Sequence, residues 1–201
     1  QPAPADALPV NWVSTGENLG AAAGNDGTVN TRLPITVGSA NVINANFGIE
    51  QLPNSGTVTL ATVPNPGGTN NYTVPAASFS GTDPDLGTVT SIRITAFPNN
   101  ATSVTINGTT YTVADFPAGG VVIPTNASGE PTQTITIDPV DGTVTVNIPY
   151  ASIDNAGIED LTPGAVNIPF SALTLSGNVF DDGNGFNGGG NVDGTGIGLP
   201  S

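Results

Sequence analysis

No stretch of this sequence keeps the apolar i, i+3, i+4 spacing of an amphipathic helix for more than one turn. The chain instead carries 27 glycines and 18 prolines among its 201 residues, and these two residue types interrupt helices and favour turns. Between them lie short β-branched runs at a spacing of roughly 8–12 residues, which is typical of all-β sandwiches and barrels. The pattern therefore predicts an all-β fold.

The predicted strands cover most of the chain. Two lie in the N-terminal part, at residues 33–37 and 40–49, and the others are 57–63, 72–79, 88–97, 103–106, 109–113, 121–124, 133–137, 143–148, 165–170 and 173–180. The dipeptides Asn107-Gly108 and Asp141-Gly142 each separate two of these runs. Both predict tight two-residue hairpin turns of type I′, in which the two central residues have positive φ.

The balance of charges limits the possible partners. Acidic residues outnumber basic ones 16 to 2, and the formal net charge is −14. Binding to nucleic acid needs several cations that neutralise phosphates, so we expect no nucleic-acid partner. No apolar run reaches 18 residues, so we expect no membrane insertion. A partner would be neutral, such as a glycan or another copy of the chain, or cationic, with Ca²⁺ the obvious candidate.

Four residue types are missing from the chain: His, Cys, Met and Lys. This removes the commonest general base, the thiol nucleophile, the Schiff-base amine and the soft metal ligands. Aromatic residues make up only 5% of the chain, too few to line a sugar-cleaving cleft between paired carboxylates. The sequence therefore predicts a protein that is not an enzyme and has no catalytic residues.

The chain divides into a long middle and two flanks. Residues 51–171 have the length and number of strands of an immunoglobulin-like β-sandwich. Residues 1–50 hold two candidate strands behind a segment rich in Gly and Asn, and residues 172–201 begin as one strand and then become glycine-rich. Neither flank has enough apolar residues to fold alone.

Several stretches resemble a known class of proteins. The stretch "NVINANFGIE" resembles the closing strand of the B-type, prealbumin-like domains of serine–aspartate-repeat adhesins, and "LSGNVFDDGNGFNGGGNVDGTGIG" resembles their opening strand and acidic loop. The middle, with "FSGTDPDLGTVTSIRI" and "IPYASIDNAGIEDLTPGAV", is similar to cadherin-like or immunoglobulin-like repeats of large Bacteroidota-type surface adhesins. The resemblance implies a cadherin-like middle between the two parts of a split B-type β-sandwich, with residues 1–50 as its closing part and 172–201 as its opening part.

The resemblance also implies a function. It points to a structural module of an extracellular adhesin, stalk or filament at the cell surface, which repeats or assembles head-to-tail with other copies by strand complementation. A glycan-binding accessory module of a secreted enzyme is the alternative, and exposed aromatic residues aligned on one face would distinguish it.

The first candidate calcium site is the C-terminal glycine-rich loop. Glycines let its backbone turn so that carbonyl oxygens can join the shell of 6–8 oxygens that Ca²⁺ prefers. The spacing of an EF-hand is not met, and a solvated loop is the competing interpretation. The candidate ligands are Asp181, Asp182, Asn184, Asn187, Asn191 and Asp193.

The second candidate site combines two acidic stretches of the middle. Cadherin-like modules bind Ca²⁺ with D-x-D and D-x-N elements at the junctions between domains, and "GTDPDLG" and "SIDNAGIED" resemble such elements. Ordinary turn chemistry is the competing interpretation, because Asp and Asn side chains bond their own backbone in turns. The candidate ligands are Asp83, Asp85, Asp154, Asn155, Glu159 and Asp160.

Overall fold

The computed structural model describes residues 7–20, 27–36 and 38–175, together with the backbone of residues 180–181 and 197–198. One short 3₁₀ helix spans Ala76–Ser78. The strands are Trp12–Leu19 (β1), Ala45–Gln51 (β2), Asn54–Ser55 (β3), Thr57–Thr59 (β4), Val63–Pro64 (β5), Tyr72–Thr73 (β6), Gly81–Thr82 (β7), Val89–Ile94 (β8), Ala101–Ile106 (β9), Thr109–Tyr111 (β10), Val121–Pro124 (β11), Ile135–Pro139 (β12), Val144–Asp154 (β13), Gly164–Ser171 (β14), Phe180–Asp181 (β15) and Ile197–Gly198 (β16).

Two larger sheets and the short antiparallel pair of β3 and β7 make up the middle of the chain. The larger sheet has the order β11-β8-β13-β14-β4, and β5 also pairs with β14. The smaller sheet has the order β10-β9-β12-β6. Neighbouring strands run antiparallel except where β14 meets β4 and β5, which run parallel to it. The predicted all-β class is thus confirmed.

The core lies between these two sheets. Side chains alternate between inside and outside along each strand, and the inward-facing ones of both sheets join a single buried cluster. Burying such β-branched side chains stabilises the fold by about 1.5–3 kcal/mol each. The larger sheet contributes Ile92, Ile94, Ile123, Val146, Ile148, Val166, Ile168 and Phe170, and the smaller one contributes Val104, Ile106, Ile135 and Ile137. The arrangement is that of a β-sandwich.

The chain enters and leaves this sandwich at opposite ends. A Cβ atom at Gly164 would overlap the carbonyl of Gly56, so the start of β14 lies beside the first residues of the sandwich. At the other end of β14, the backbone N–H of Asn65 donates to the carbonyl of Ser171 (2.8 Å). The eight residues of β14 make seven steps of ~3.3 Å, which separate the two ends by about 23 Å. We call them the N-terminal pole, at Gly56 and Gly164, and the C-terminal pole, at Asn65 and Ser171.

The strands β1 and β2 form a separate antiparallel pair, which we call the N-terminal hairpin. It adjoins the N-terminal pole, where the N–H of Gln51 donates to Oδ2 of Asp85 (2.9 Å) in the loop after β7. The sandwich strands β3 to β14 lie between residues 54 and 171. The division into units at 1–50, 51–171 and 172–201, and their immunoglobulin-like and prealbumin-like character, stay predictions.

The two predicted hairpin turns differ in outcome. Asn107 and Gly108 both have positive φ, 49° and 80°, and join the paired strands β9 and β10, so the first prediction is confirmed. The second is wrong, because β12 and β13 belong to different sheets. The segment between them crosses the C-terminal pole, where the buried Asn65 side chain donates to the carbonyls of Val140 (2.8 Å) and Gly142 (3.0 Å).

Several predicted strands also differ from the structure. Residues 33–36, 40–44 and 173–175 are not in strands. The predicted run 57–63 breaks into β4 and β5, and the run 72–79 shortens to β6 followed by the 3₁₀ helix. Conversely, β1 was not predicted, because its sequence "WVSTGENL" does not alternate apolar and polar residues. It pairs with β2 through a bulge between Ser14 and Gly16, and a bulge breaks the period of two.

Candidate metal centre

Acidic side chains from three parts of the chain meet at the N-terminal pole. Glu50 belongs to β2, Asp83 and Asp85 follow β7, and Asp154 ends β13 and is followed by Asn155. The start of β8 pairs with the end of β13, so the turn before β8 and the turn after β13 lie side by side. Sequence-distant carboxylates are thereby placed next to each other.

Three of these residues form what we call the acidic triad: Glu50, Asp83 and Asp154. Each offers a carboxylate oxygen, and the three oxygens all lie within 4.8 Å of one another. Like charges at this distance repel, and the repulsion grows as water is excluded. A bound cation would convert this repulsion into attraction.

Asp154 carries an oxygen that lacks a protein partner. The residue is only 1% exposed. Its Oδ1 accepts a hydrogen bond from the N–H of Ile158 (2.8 Å), whereas its Oδ2 is buried and has no hydrogen-bond partner among the described residues. A buried carboxylate oxygen without a partner is costly, and a cation bound beside it would offset that cost.

The carboxylate of Asp83 also lacks hydrogen-bond partners. Both of its carboxylate oxygens are buried and lack a hydrogen-bond partner in the part of the chain that the structure describes. Gly87 makes room for them, because a Cβ atom there would overlap the Asp83 carboxylate and the side chain of Asn155. The turn is therefore shaped so that oxygens, rather than a side chain at position 87, fill this space.

The ionisation of the cluster reflects this crowding. Burial raises the pKa of Asp83 to about 6, and the nearby carboxylates of Asp85 and Asp154 add to the shift. Burial also raises the pKa of Glu50, again with contributions from Asp85 and Asp154. The pKa of Asp85 is instead lowered, mainly because its carboxylate accepts the N–H of Gln51. The cluster thus holds more negative charge than its environment stabilises.

Backbone hydrogen bonds fix the loops around the triad. Oδ2 of Asp85 accepts from the N–H of Gln51 (2.9 Å), which ties the loop before β8 to the N-terminal hairpin. Oδ1 of Asn155 accepts from the N–H of Thr88 (2.7 Å), which ties the same loop to the turn after β13. An open cavity of about 180 Å³ adjoins Asp83 and Gly87 and gives access from solvent.

The donor set suits a hard cation. Carboxylate and amide oxygens are the ligands of Ca²⁺ and Mg²⁺, and Ca²⁺ accepts 6–8 oxygens in a flexible geometry. Glu50, Asp83 and Asp154 would supply the charge, and the neighbouring Asp85 and Asn155 would supply further oxygens. The unpartnered oxygens of Asp83 and Asp154 fit such an ion.

The structure brings together four of the predicted residues of the middle, namely Asp83, Asp85, Asp154 and Asn155. The other two lie in separate interactions. Asp160 Oδ2 accepts from the N–H of Ser55 (2.6 Å) and its Oδ1 from the N–H of Thr162 (2.8 Å). Glu159 pairs with Arg93 (2.8 Å).

Glu50 is the member of the triad that sequence reasoning missed. It stands at the predicted boundary between a flank and the middle, and no D-x-D or D-x-N element surrounds it. A signal was present: Glu50 directly follows a predicted strand that leads into the sandwich.

The predicted ligands of the C-terminal loop lie outside the described residues, apart from the backbone of Asp181. They are the side chain of Asp181 and the whole of Asp182, Asn184, Asn187, Asn191 and Asp193. A calcium site in that loop stays a prediction.

No protein-family model matches the chain, and neither the curated proteins nor the solved structures gave a match. Among the described residues, no helix has the length and apolar character needed to span a membrane. The resemblance to surface adhesins therefore stays a prediction.

Proposed function

We propose that the chain is a non-enzymatic structural module of an extracellular bacterial surface adhesin, stalk or filament, and that Ca²⁺ stiffens the junction at its N-terminal pole. The observation that carries the proposal is the origin of the acidic triad. Glu50 comes from the N-terminal hairpin, whereas Asp83 and Asp154 come from the sandwich. An ion held by all three would join the two parts.

The path of the chain supports a role as a spacer. A module that is entered at one pole and left at the other, about 23 Å away along one strand, passes tension through its sheet. The residues at both poles are held by hydrogen bonds between separate strands, such as Asn65 N–H to Ser171 O (2.8 Å). The surface location rests on the sequence resemblance, and the absence of His, Cys, Met and Lys supports a role without catalysis.

The test is the thermal unfolding of the full chain in EDTA and in millimolar CaCl₂, with calcium binding measured by calorimetry. A ligand that binds only the native state stabilises it by RT ln(1 + [L]/Kd), about 2.7 kcal/mol at a hundredfold excess over Kd. We expect a higher midpoint in CaCl₂ and slower amide exchange at Gln51 and Leu52. An unchanged midpoint together with no binding heat would refute the calcium-stiffened junction. MgCl₂ at the same concentration is the control for ion selectivity.

A further inference from the structure

The N-terminal hairpin leaves an apolar surface uncovered. Phe47 and Ile49 are two residues apart on β2, so their side chains share one face. They are 47% and 45% exposed, and Ile43, just before the strand, is 70% exposed. We call this surface the hairpin face.

The hairpin also has an open edge beside that face. In the part of the chain that the structure describes, β2 pairs with β1 on one side and with no strand on the other. A two-stranded sheet is only marginally stable by itself in water, and an open edge is a template for pairing with a further strand. A further strand would pair the backbone groups of this edge, and its side chains would cover the hairpin face.

A second uncovered apolar surface follows the sandwich. Leu173 is 64% exposed and Leu175 is fully exposed. Their spacing of two puts them on one side of an extended chain, and Val179 continues this alternation in the sequence. We call residues 173–179, "LTLSGNV", which precede the paired strand β15, the tail segment. It carries no charged residue, so it can approach a chain of net charge −14 without adding repulsion.

Within one copy these two surfaces lie at opposite poles. The hairpin adjoins the N-terminal pole, through the bond from Gln51 to Asp85, and the tail segment begins two residues after Ser171 at the C-terminal pole. The length of β14, about 23 Å, separates the two poles. The C-terminal pole of one copy can instead face the N-terminal pole of the next.

We propose that the tail segment of one copy adds as a third strand to the free edge of β2 in a second copy, and that Leu173 and Leu175 cover Phe47 and Ile49. Main-chain hydrogen bonds would supply affinity and the alternating side chains specificity, as in other additions of a strand to a sheet edge. The contact is heterologous, so it repeats from copy to copy and produces a linear assembly. It does not depend on the proposed calcium site.

The first experiment is sedimentation of the full chain over a concentration series. The weight-average mass should rise with concentration, and more steeply at high salt, because salt screens the repulsion between acidic copies. Phe47→Asp and Leu175→Asp should each weaken self-association at least about tenfold. Val113→Asp, at a residue 75% exposed after β10, is the matched control and should self-associate as the unchanged chain does.

Mixing the two variants tests the head-to-tail geometry. Phe47→Asp keeps an intact tail segment and Leu175→Asp keeps an intact hairpin face, so an equimolar mixture should contain 1:1 heterodimers and no longer species. Three results would each overturn the proposal: an unchanged chain that stays monomeric at every concentration, a Leu175→Asp variant that assembles normally, or a mixture that stays monomeric.

A disulfide trap makes the test independent of the folding of the hairpin variant. The chain has no cysteine, so Ile49→Cys in one population and Leu175→Cys in another give one thiol per copy. Oxidation of the mixture should produce the crossed dimer in preference to either homodimer. A random distribution of dimers, or one dominated by the Ile49→Cys homodimer, would contradict the proposal.

Discussion

The backbone N–H of Gln51 donates a 2.9 Å hydrogen bond to Oδ2 of Asp85, across the boundary between the N-terminal hairpin and the sandwich. This bond is the first cause of the lowered pKa of Asp85. Its neighbours respond in the opposite direction, because the burial of Asp83 and Glu50 raises the pKa of each carboxyl. The Asp85 carboxylate therefore joins the hairpin to the sandwich without an ion, whereas the oxygens of Asp83 have no hydrogen-bond partner among the described residues.

Replacing Asp83 by Asn should have opposite effects with and without calcium. In EDTA at pH 7.5 the variant should unfold at a higher temperature, since a carboxyl whose pKa is raised to about 6 destabilises the native state once it ionises. In CaCl₂ the variant should lose the increase in midpoint that the unchanged chain shows. Melting curves of both proteins in both buffers measure the two differences.

The sign of the first effect follows from proton linkage. The Asp83 carboxyl has its raised pKa only when folded, so its stabilising contribution is present below about pH 4 and is lost as the pH rises through about 6. The advantage of Asp83→Asn in EDTA should therefore disappear on acidification. Asp141→Asn, at the C-terminal pole, is the control for the calcium effect and should keep the full calcium-dependent increase. A calcium response that survives in Asp83→Asn would count against the site.

The hydroxyl of Tyr150 forms hydrogen bonds with backbone groups at the N-terminal pole, so Tyr150→Phe should destabilise the protein. Its fully buried hydroxyl accepts the N–H of Ser80 (2.9 Å) and lies 2.8 Å from the carbonyl oxygen of Gly56 and 2.6 Å from that of Ser80. Removal of the hydroxyl leaves buried backbone groups unpaired, which costs about 1–3 kcal/mol. Urea unfolding should show a lower midpoint with an unchanged slope.

The control for this variant is Tyr111→Phe, at a tyrosine that is only partly buried at the end of β10. Its midpoint should move by less than half as much. Both substitutions keep the ring, so equal effects for the two variants would contradict a special role of the buried Tyr150 hydroxyl. The ring itself packs edge-on against Phe79, with centroids 5.2 Å apart.

The contrast between the two predicted turns shows how far local sequence reaches. At Asn107-Gly108 the chemistry is local, because both residues tolerate positive φ and the flanking strands pair directly. At Asp141-Gly142 the same kind of dipeptide joins strands of different sheets. The contacts that hold this segment are made by Asn65, which lies 75 residues before Val140 and 77 before Gly142 in the sequence. The local pattern of apolar and polar residues carries no information about such distant contacts.

The candidate site shows the same limit. The resemblance of "TDPDLG" and "DNAG" to calcium-binding elements indicated Asp83, Asp85, Asp154 and Asn155, and the antiparallel pairing of β8 with β13 brings these residues together. Glu50 joins them through the position of the hairpin, which no short motif encodes. Asp160 was also in the motif region, but its carboxylate accepts the N–H groups of Ser55 and Thr162.

Asp138 and Asp115 should respond oppositely to removal of their charge. Asp138 is buried, its Oδ1 has no partner among the residues described, and burial together with the Asp141 charge raises its pKa. Its stabilising contribution is present at low pH and is lost as the pH rises through the folded-state pKa. Asp138→Asn should therefore raise the unfolding midpoint at pH 7, with the difference vanishing in acid.

For Asp115 the hydroxyl and the N–H of Thr112 lower the pKa of the carboxyl. Its contribution is present above the ordinary carboxyl range and is lost as the pH falls through the folded-state pKa, so Asp115→Asn should lower the midpoint at pH 7. Thermal melts of both variants between pH 3 and pH 8 provide the measurement. Shifts of the same sign at pH 7 would contradict this assignment.

Residues 51–171 should fold without either flank. Every residue of the buried core cluster lies between Val74 and Phe170, so removal of the flanks leaves both sheets of the sandwich intact. We expect a single cooperative transition, with the same midpoint by circular dichroism and by tyrosine fluorescence.

The fragment lacks Glu50, so calcium should stabilise it less than the full chain. Glu50→Gln in the full chain should reproduce that loss. A fragment without a cooperative transition would mean that the hairpin and the sandwich form one folding unit.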